Sequence, residues 1–370
     1  MEPLQPSRWA RLSAAVHTFL RDDHGVRYFF IALGLIVTTG VCALVIIQPT
    51  IVSLGGLTLT PKPPEAPKYY SPLTGVEVKN SSVPKRQVTA IMIENSPDAR
   101  PQSGLKDAGV VFEAIAEGGI TRFAALYQET KPQLIGPVRS VRPYYLSWIK
   151  PFDAAVAHIG GSANALAEVR GGEYKDIDQF FNSGAYWRAT DRYAPHNVYT
   201  SFAKLDALNA SKKYTTSKFK GFTRTAIPKK NQTTTPSSGL PKATNIGIDI
   251  SSSLYNPSYV YDAKKKVYKR SLDGVPHVDR EKGLITPKVV IAMKVVTTIE
   301  LEDGYREQMK STGSGNAYIF QNGTVVKGLW HKKSKNSQLS FTDKEGRVVP
   351  LNRGQTWITA LPSTRNVTWH

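Results

Sequence analysis

Cysteine is almost missing from this 370-residue chain, which has one, Cys42. That scarcity excludes a disulfide scaffold, a thiolate zinc module and an iron–sulfur centre. The spacings HExxH, GxxxxGK[ST] and GxSxG are also absent, which removes a zincin, a P-loop enzyme and a nucleophile elbow. His277 beside Asp279 is too little to define a metal site, so neither a metal nor a cofactor is expected. Acidic residues are outnumbered, with 29 Asp and Glu against 48 Lys and Arg and a net charge of +19. Such a surplus points to a polyanion: nucleic acid, anionic lipid or an acidic wall polymer. Apolar residues (41%) and aromatics (10%) are too plentiful for a disordered chain, and the length allows about two domains.

What is present sorts these partners. Residues 28–47, YFFIALGLIVTTGVCALVII, carry no charge. At about 1.5 Å per residue such a run spans the roughly 30 Å hydrocarbon layer. It is longer than a signal-peptide core, and the arginines of the preceding arm (Arg8, Arg11, Arg21, Arg27) favour a cytoplasmic N-terminus. The expectation is a single-pass plasma-membrane anchor at 28–47, a cytoplasmic arm at 1–27, and the bulk of the chain outside. Cys42 has Val41 before it and an apolar run after it, a poor lipidation context, and reads as a membrane-buried thiol. The arm has net charge +1, so about +18 of the +19 lies outside the membrane. Nucleic acid falls in rank there, and lipid head groups and anionic wall polymer rise.

The proline-rich stretch TPKPPEAPK ends a semi-rigid spacer over 48–68. Beyond it, VTAIMI, GVVFEAI, RFAALY and AAVAHI predict strands, with helices around 140–149, 162–170 and 201–211. Ser201 suits an N-cap. This alternation predicts an α+β or α/β external domain over 69–222. A Ser/Thr/Pro/Lys-rich stretch at 223–245 reads as a linker or surface loop. From 246 to 370, Val, Ile, Tyr and Thr dominate, and Asn322-Gly323 gives a hairpin turn. A smaller, mainly antiparallel β domain is expected there. Between 215 and 270 there are 11 Lys and Arg against Asp249 and Asp262, either a footing on anionic polymer or a solvated surface.

Candidate chemistry lies in four polar motifs: IENSPDARPQSG, FEAIAEGGITR, IGPVRSVRP and the pair YWR with RYAPHN. Glu94 and Asn95 follow an apolar strand, where loops build sites. Glu113 and Glu117, four apart, share a face of either a helix or a regular strand. They form either an acid–base pair for glycan cleavage with His196 or an ion-pair network with nearby arginines. Arg100, Arg122, Arg139, Arg142, Arg188 and Arg192 each sit beside Pro, Gly or an aromatic. If several converge, their forks match phosphate or carboxylate. Ser140, Asn197, His158 and Ser162 complete the ligand-binding candidates, with Ser162 also suited to cap a helix.

These four motifs, with GSGNAYIFQNGTVVKGLW and LNRGQTWITALP further on, resemble the YerB-like family of bacterial envelope proteins across residues 69–362. The resemblance implies membrane attachment, often as a lipoprotein, an outward-facing two-domain body and no settled reaction. The context of Cys42 departs from the lipoprotein pattern. The sequence therefore predicts an envelope protein binding an anionic wall or lipid-linked ligand, with a wall hydrolase or transferase and a scaffold for envelope proteins as alternatives.

Overall fold

The computed structural model describes residues 67–227, 239–299 and 306–370, with the short strands Ser53–Leu54 and Leu57–Thr58. The expected anchor at 28–47, Cys42, the arm and most of the spacer lie outside the described residues. Among the described residues no helix is long and apolar enough to cross a membrane. The chain divides into two units, Met1–Pro67 and Lys68–His370.

The N-terminal half of the second unit contains strands β1 (Thr89–Glu94), β2 (Val110–Glu117) and β3 (Ile120–Tyr127), helix α1 (Pro143–Ile149), β4 (Ala155–His158), α2 (Ala163–Arg170), β5 (Lys175–Asp178) and α3 (Phe202–Ser211). It is strand-rich with few helices. The C-terminal half adds β6 (Asn245–Ile248), β7 (Pro257–Asp262), β8 (Val267–Leu272), β9 (Val289–Val295), β10 (Gly313–Gln321), β11 (Thr324–Lys332), β12 (Ser340–Asp343), β13 (Thr356–Pro362) and β14 (Val367–Trp369). Most pairings among these are antiparallel. The β10–β11 hairpin turns on Asn322 and Gly323, both at positive φ (56° and 72°), as a primed turn requires. Ser201 caps α3 by accepting from the Lys204 N–H.

The two halves share one sheet. Its order is β12-β11-β10-β9-β13-β2-β3-β1-β4-β5. The seam is the parallel pairing of β13 with β2, which sets Trp357 beside Val111 and Thr359 beside Glu113. A second, five-stranded antiparallel sheet runs from the short strand Val275–Pro276 through β8, β7 and β6 to β14. Part of the expected linker also joins the body, since backbone hydrogen bonds link Thr223 and Thr225 to Leu351.

Strands β1 and β3 read as continuous apolar runs because both of their faces are covered. Ala90, Met92, Ala124 and Leu126 belong to one core cluster, and Ile91, Ile93, Phe123 and Ala125 to the other. The first cluster includes the α1 aromatics, where Trp148 stacks on Phe112 at 5.7 Å. Truncating Phe112 to Ala there would cost about 3–5 kcal/mol.

Candidate functional site

Glu113 and Glu117 do not form a pair. The register of β2 against β3 shifts between Ile115 and Glu117. That irregularity breaks the strict alternation on which a shared strand face depends. Each carboxylate then has its own cations. Glu117 bonds Arg122 at 2.7 Å and also Arg142, while Arg122 donates to the Ser140 carbonyl at 3.0 Å. Burial opposes ionisation of Glu117, but Arg122 and then Arg142 outweigh it and hold the carboxyl below its ordinary range.

Glu113 is fully buried. It takes a hydrogen bond from Arg270 at 2.7 Å, from the Trp357 indole at 2.9 Å and from Thr359 at 3.1 Å. Arg270 is also fully buried, although the sequence places it in a basic surface stretch. A hint was available: in β8 it occupies the inward register between Tyr268 and Leu272. Arg270 Nε donates to His277 Nδ1 at 2.9 Å. That fixes the tautomer, so Nε2 carries the proton and donates to Gln102 Oε1 at 2.9 Å. Gln102 in turn donates to the Glu94 carbonyl and to Asn95 Oδ1. Asn95 donates to Thr121 at 2.7 Å. Burial, then Arg270 and Arg100, pushes the His277 imidazole well below its ordinary value.

This buried chain ends behind Glu94, at the C-terminal end of β1. Three groups converge on Glu94 Oε1: the Ser96 hydroxyl at 2.9 Å, His196 Nδ1 at 2.9 Å and Arg139 Nε at 3.3 Å. His196 is thus joined to Glu94, not to Glu113 or Glu117. Ser96 also approaches His196 Nδ1, at 3.2 Å. Serine and carboxylate therefore meet the same ring nitrogen. A catalytic triad needs them on opposite nitrogens, so Ser96 is not an activated nucleophile. Nε2 of His196 points towards the exposed Asp98, 3.9 Å away. Glu94 is 3% exposed, whereas the side chains of Arg139 and His196 are each 23% exposed. The second oxygen, Glu94 Oε2, is buried without a hydrogen bond.

The remaining candidates are held elsewhere. Arg100 donates to Asn95 and to the Leu254 carbonyl. Arg192 donates to the carbonyls of Asp98 and Pro101, and Arg188 to Asn197 Oδ1 at 2.8 Å. His158 is fully buried between the Gly160 carbonyl and Asp176. Ser162 occupies the N-cap of α2 but makes no capping bond, and its hydroxyl is buried without a partner. The six arginines do not form one pocket. Among them Arg139 is held by the ion pair with Glu94 and by no side-chain hydrogen bond within the described residues. Two concave regions, of about 190 Å³ beside Phe222 and Phe341 and about 370 Å³ beside Asp249 and Asn256, contain none of these residues. Among the described residues no three His, Cys, Asp or Glu side chains are grouped to hold a metal.

The body is a mixed sheet built from two halves, with a buried ion pair at its seam and a polar cluster at the end of β1. Residues 73–216 match the N-terminal domain, and residues 246–358 the C-terminal domain, of the family described as a protein of unknown function, DUF3048. The chain belongs to this family. It is 33% identical over 309 residues to the putative lipoprotein YerB of Bacillus subtilis, across 81% of this chain and 88% of that one. The crystal structure of YerB from Bacillus subtilis matches with a TM-score of 0.72 at 30% identity, covering 81% of this chain and all of that one.

Proposed function

We propose that this chain is a membrane-attached, extracytoplasmic envelope protein whose Glu94–Arg139–His196 cluster binds an anionic cell-wall or lipid-linked ligand. Attachment is supported by the apolar run at 28–47, the proline spacer and the name of the YerB relative as a putative lipoprotein. Either that run or a lipid on the chain would serve as the anchor. The observation that carries the binding reading is Arg139. Among the described residues its Nε is buried without a hydrogen bond and pairs with Glu94 at 3.3 Å, while the other motif arginines bond protein acceptors. A guanidinium held by one carboxylate contact keeps donors for an incoming phosphate or carboxylate.

The test is binding of the full chain, in neutral detergent, to purified bacterial wall before and after its anionic polymer is stripped, across a salt series. Binding should fall with salt and with stripping, and Arg139→Ala should weaken it at least tenfold. No binding at low salt, or binding unchanged by Arg139→Ala, overturns the reading. A second reading, a wall hydrolase or transferase, rests on the Glu94–His196 contact, which leaves Nε2 outward as a base. Incubating wall with wild type and Glu94→Gln checks it, because absence of released fragments from the wild type removes it.

A further inference from the structure

Phe180 follows β5, and Arg139 lies on a strap bonded to Met92 of β1 and to Ile159 after β4. Strands β1, β4 and β5 are parallel neighbours, so their C-terminal ends face one way. Loops leaving such ends form the crevice in which open sheets bind ligands. Here β1 runs into Ser96, β4 into Gly160 and β5 into Phe180. A strap over 137–141 crosses the ends of β1 and β4. Arg139 N–H donates to the Met92 carbonyl, and its own carbonyl accepts from Ile159. Two residues on, Val141 N–H donates to the Gly160 carbonyl.

Gly160 is the floor beneath Phe180. It has φ +65°, and a Cβ there would lie 3.2 Å from Phe180 Cε2. The aromatic tip is fixed from below, because Asp178 accepts from the Phe180 N–H at 3.2 Å and pairs with Arg170 at 2.7 Å. Phe180 and Phe181 are 66% and 70% exposed. The Arg170 guanidinium covers the Phe181 ring at 4.9 Å, whereas among the described residues Phe180 has no cation over it. From Arg139 to Val141, the strap residue beside Gly160, is about 7 Å of extended chain. The exposed Phe180 ring lies against Gly160, and Gly160 and its neighbour Ile159 bond the strap that carries Arg139. An apolar platform with a few convergent polar groups is how small-molecule sites achieve both affinity and orientation.

We propose that this edge binds an anionic saccharide, a pyranose bearing a phosphate or carboxylate, with the anion on Arg139 and the ring face on Phe180. The proposal rests on the anion-binding reading above and names its ligand class. Neutral sugar would leave Arg139 without its anion, and free phosphate would leave Phe180 uncovered.

Calorimetric titration of the full chain in neutral detergent tests it, with glucose 1-phosphate, glucuronate, glucose and inorganic phosphate as probes. Glucose 1-phosphate or glucuronate should bind at least tenfold more tightly than glucose or phosphate. Phe180→Ala should bring glucose 1-phosphate down to the level of phosphate, and Phe180→Trp should keep the difference. Arg139→Ala should weaken every anion about tenfold. Equal binding of phosphate and glucose 1-phosphate, or an unchanged ratio in Phe180→Ala, overturns the saccharide proposal while leaving anion binding in place. Loss of binding to phosphatidylglycerol vesicles in Phe180→Ala, without an effect on sugar phosphate, makes the tip a lipid contact and also overturns it. Failure of all four probes together with absence of wall binding removes the underlying anion reading as well.

Discussion

Glu113 and Glu94 are built from the same kinds of group and do opposite things. Each carboxylate has an arginine beside it and an imidazole within two contacts. Around Glu113 every group is buried: Glu113 and Arg270 are fully enclosed and His277 is 4% exposed. Trp357 and Thr359 fill the remaining acceptor positions. Around Glu94 the carboxylate is buried, but the Arg139 and His196 side chains reach solvent. Residue type therefore does not separate a strut from a site. What separates them is whether the polar atoms are all satisfied inside the protein. At the β2–β13 seam they are. At the end of β1, Glu94 Oε2 and Arg139 Nε are buried without a hydrogen bond, and Nε has only its 3.3 Å ion pair with Glu94.

The largest effect is expected at the seam. Arg270→Met leaves a buried, unpaired Glu113 and should cost about 3–5 kcal/mol in urea unfolding. The double variant Glu113→Gln with Arg270→Met should recover much of that loss. Additive single and double effects would mean that the pair is not a strut.

A smaller effect should appear with pH. His277 is neutral in the fold and its folded value is depressed, so the unfolded chain binds the proton more readily. Its contribution is therefore complete above the ordinary histidine value of about 6.5. It is lost as pH falls below that value, at up to about 1.4 kcal/mol per pH unit. Denaturant titrations at several pH values should show this slope, and His277→Gln should flatten it.

Glu117 gives a lesser slope further into acid. Its folded value is depressed, so its stabilisation is present above the ordinary carboxylate range of about 4.3 and is lost as pH falls through the folded value. Glu117→Gln should reduce stability at neutral pH by about 1–3 kcal/mol and remove that part of the acid sensitivity, as urea titrations at neutral and acid pH would show.

The smallest stability effects belong to the open cluster. Phe180→Ala should change unfolding free energy by no more than about 0.5 kcal/mol, and Arg139→Ala, which leaves the buried Glu94 with His196 and Ser96, should cost less than Arg270→Met. Large losses there would make the end of β1 a second strut and erase the distinction.

Much of the fold is legible along the chain. VTAIMI and RFAALY lack polar alternation because both faces of their strands are covered, and the Asn322-Gly323 turn and the Ser201 cap are local chemistry. The site was legible only in part. Glu94, Arg139 and His196 all lie in the polar motifs, but His196 could be assigned a carboxylate only by folding, since Glu94 is 102 residues away in sequence. Of the two readings of Glu113 and Glu117, the ion-pair one is what the geometry has: Glu117 pairs with Arg122 and Arg142, and the irregularity after Ile115 removes the shared strand face that an acid–base pair would use. Arg270 hid among lysines because composition records charge and not the face on which it sits.

The strand segments, the capped helix, the hairpin turn and membership of the family follow from the chain alone, because periodicity, capping and motif order are properties of neighbouring residues. The fold had to bring distant strands together before the two halves shared a sheet, Arg270 met Glu113 across 157 residues, and Arg139 paired with Glu94. A buried charge takes whichever opposite charge the packing brings within hydrogen-bond reach. That choice is made by pairings between distant strands and leaves no periodic trace in the chain.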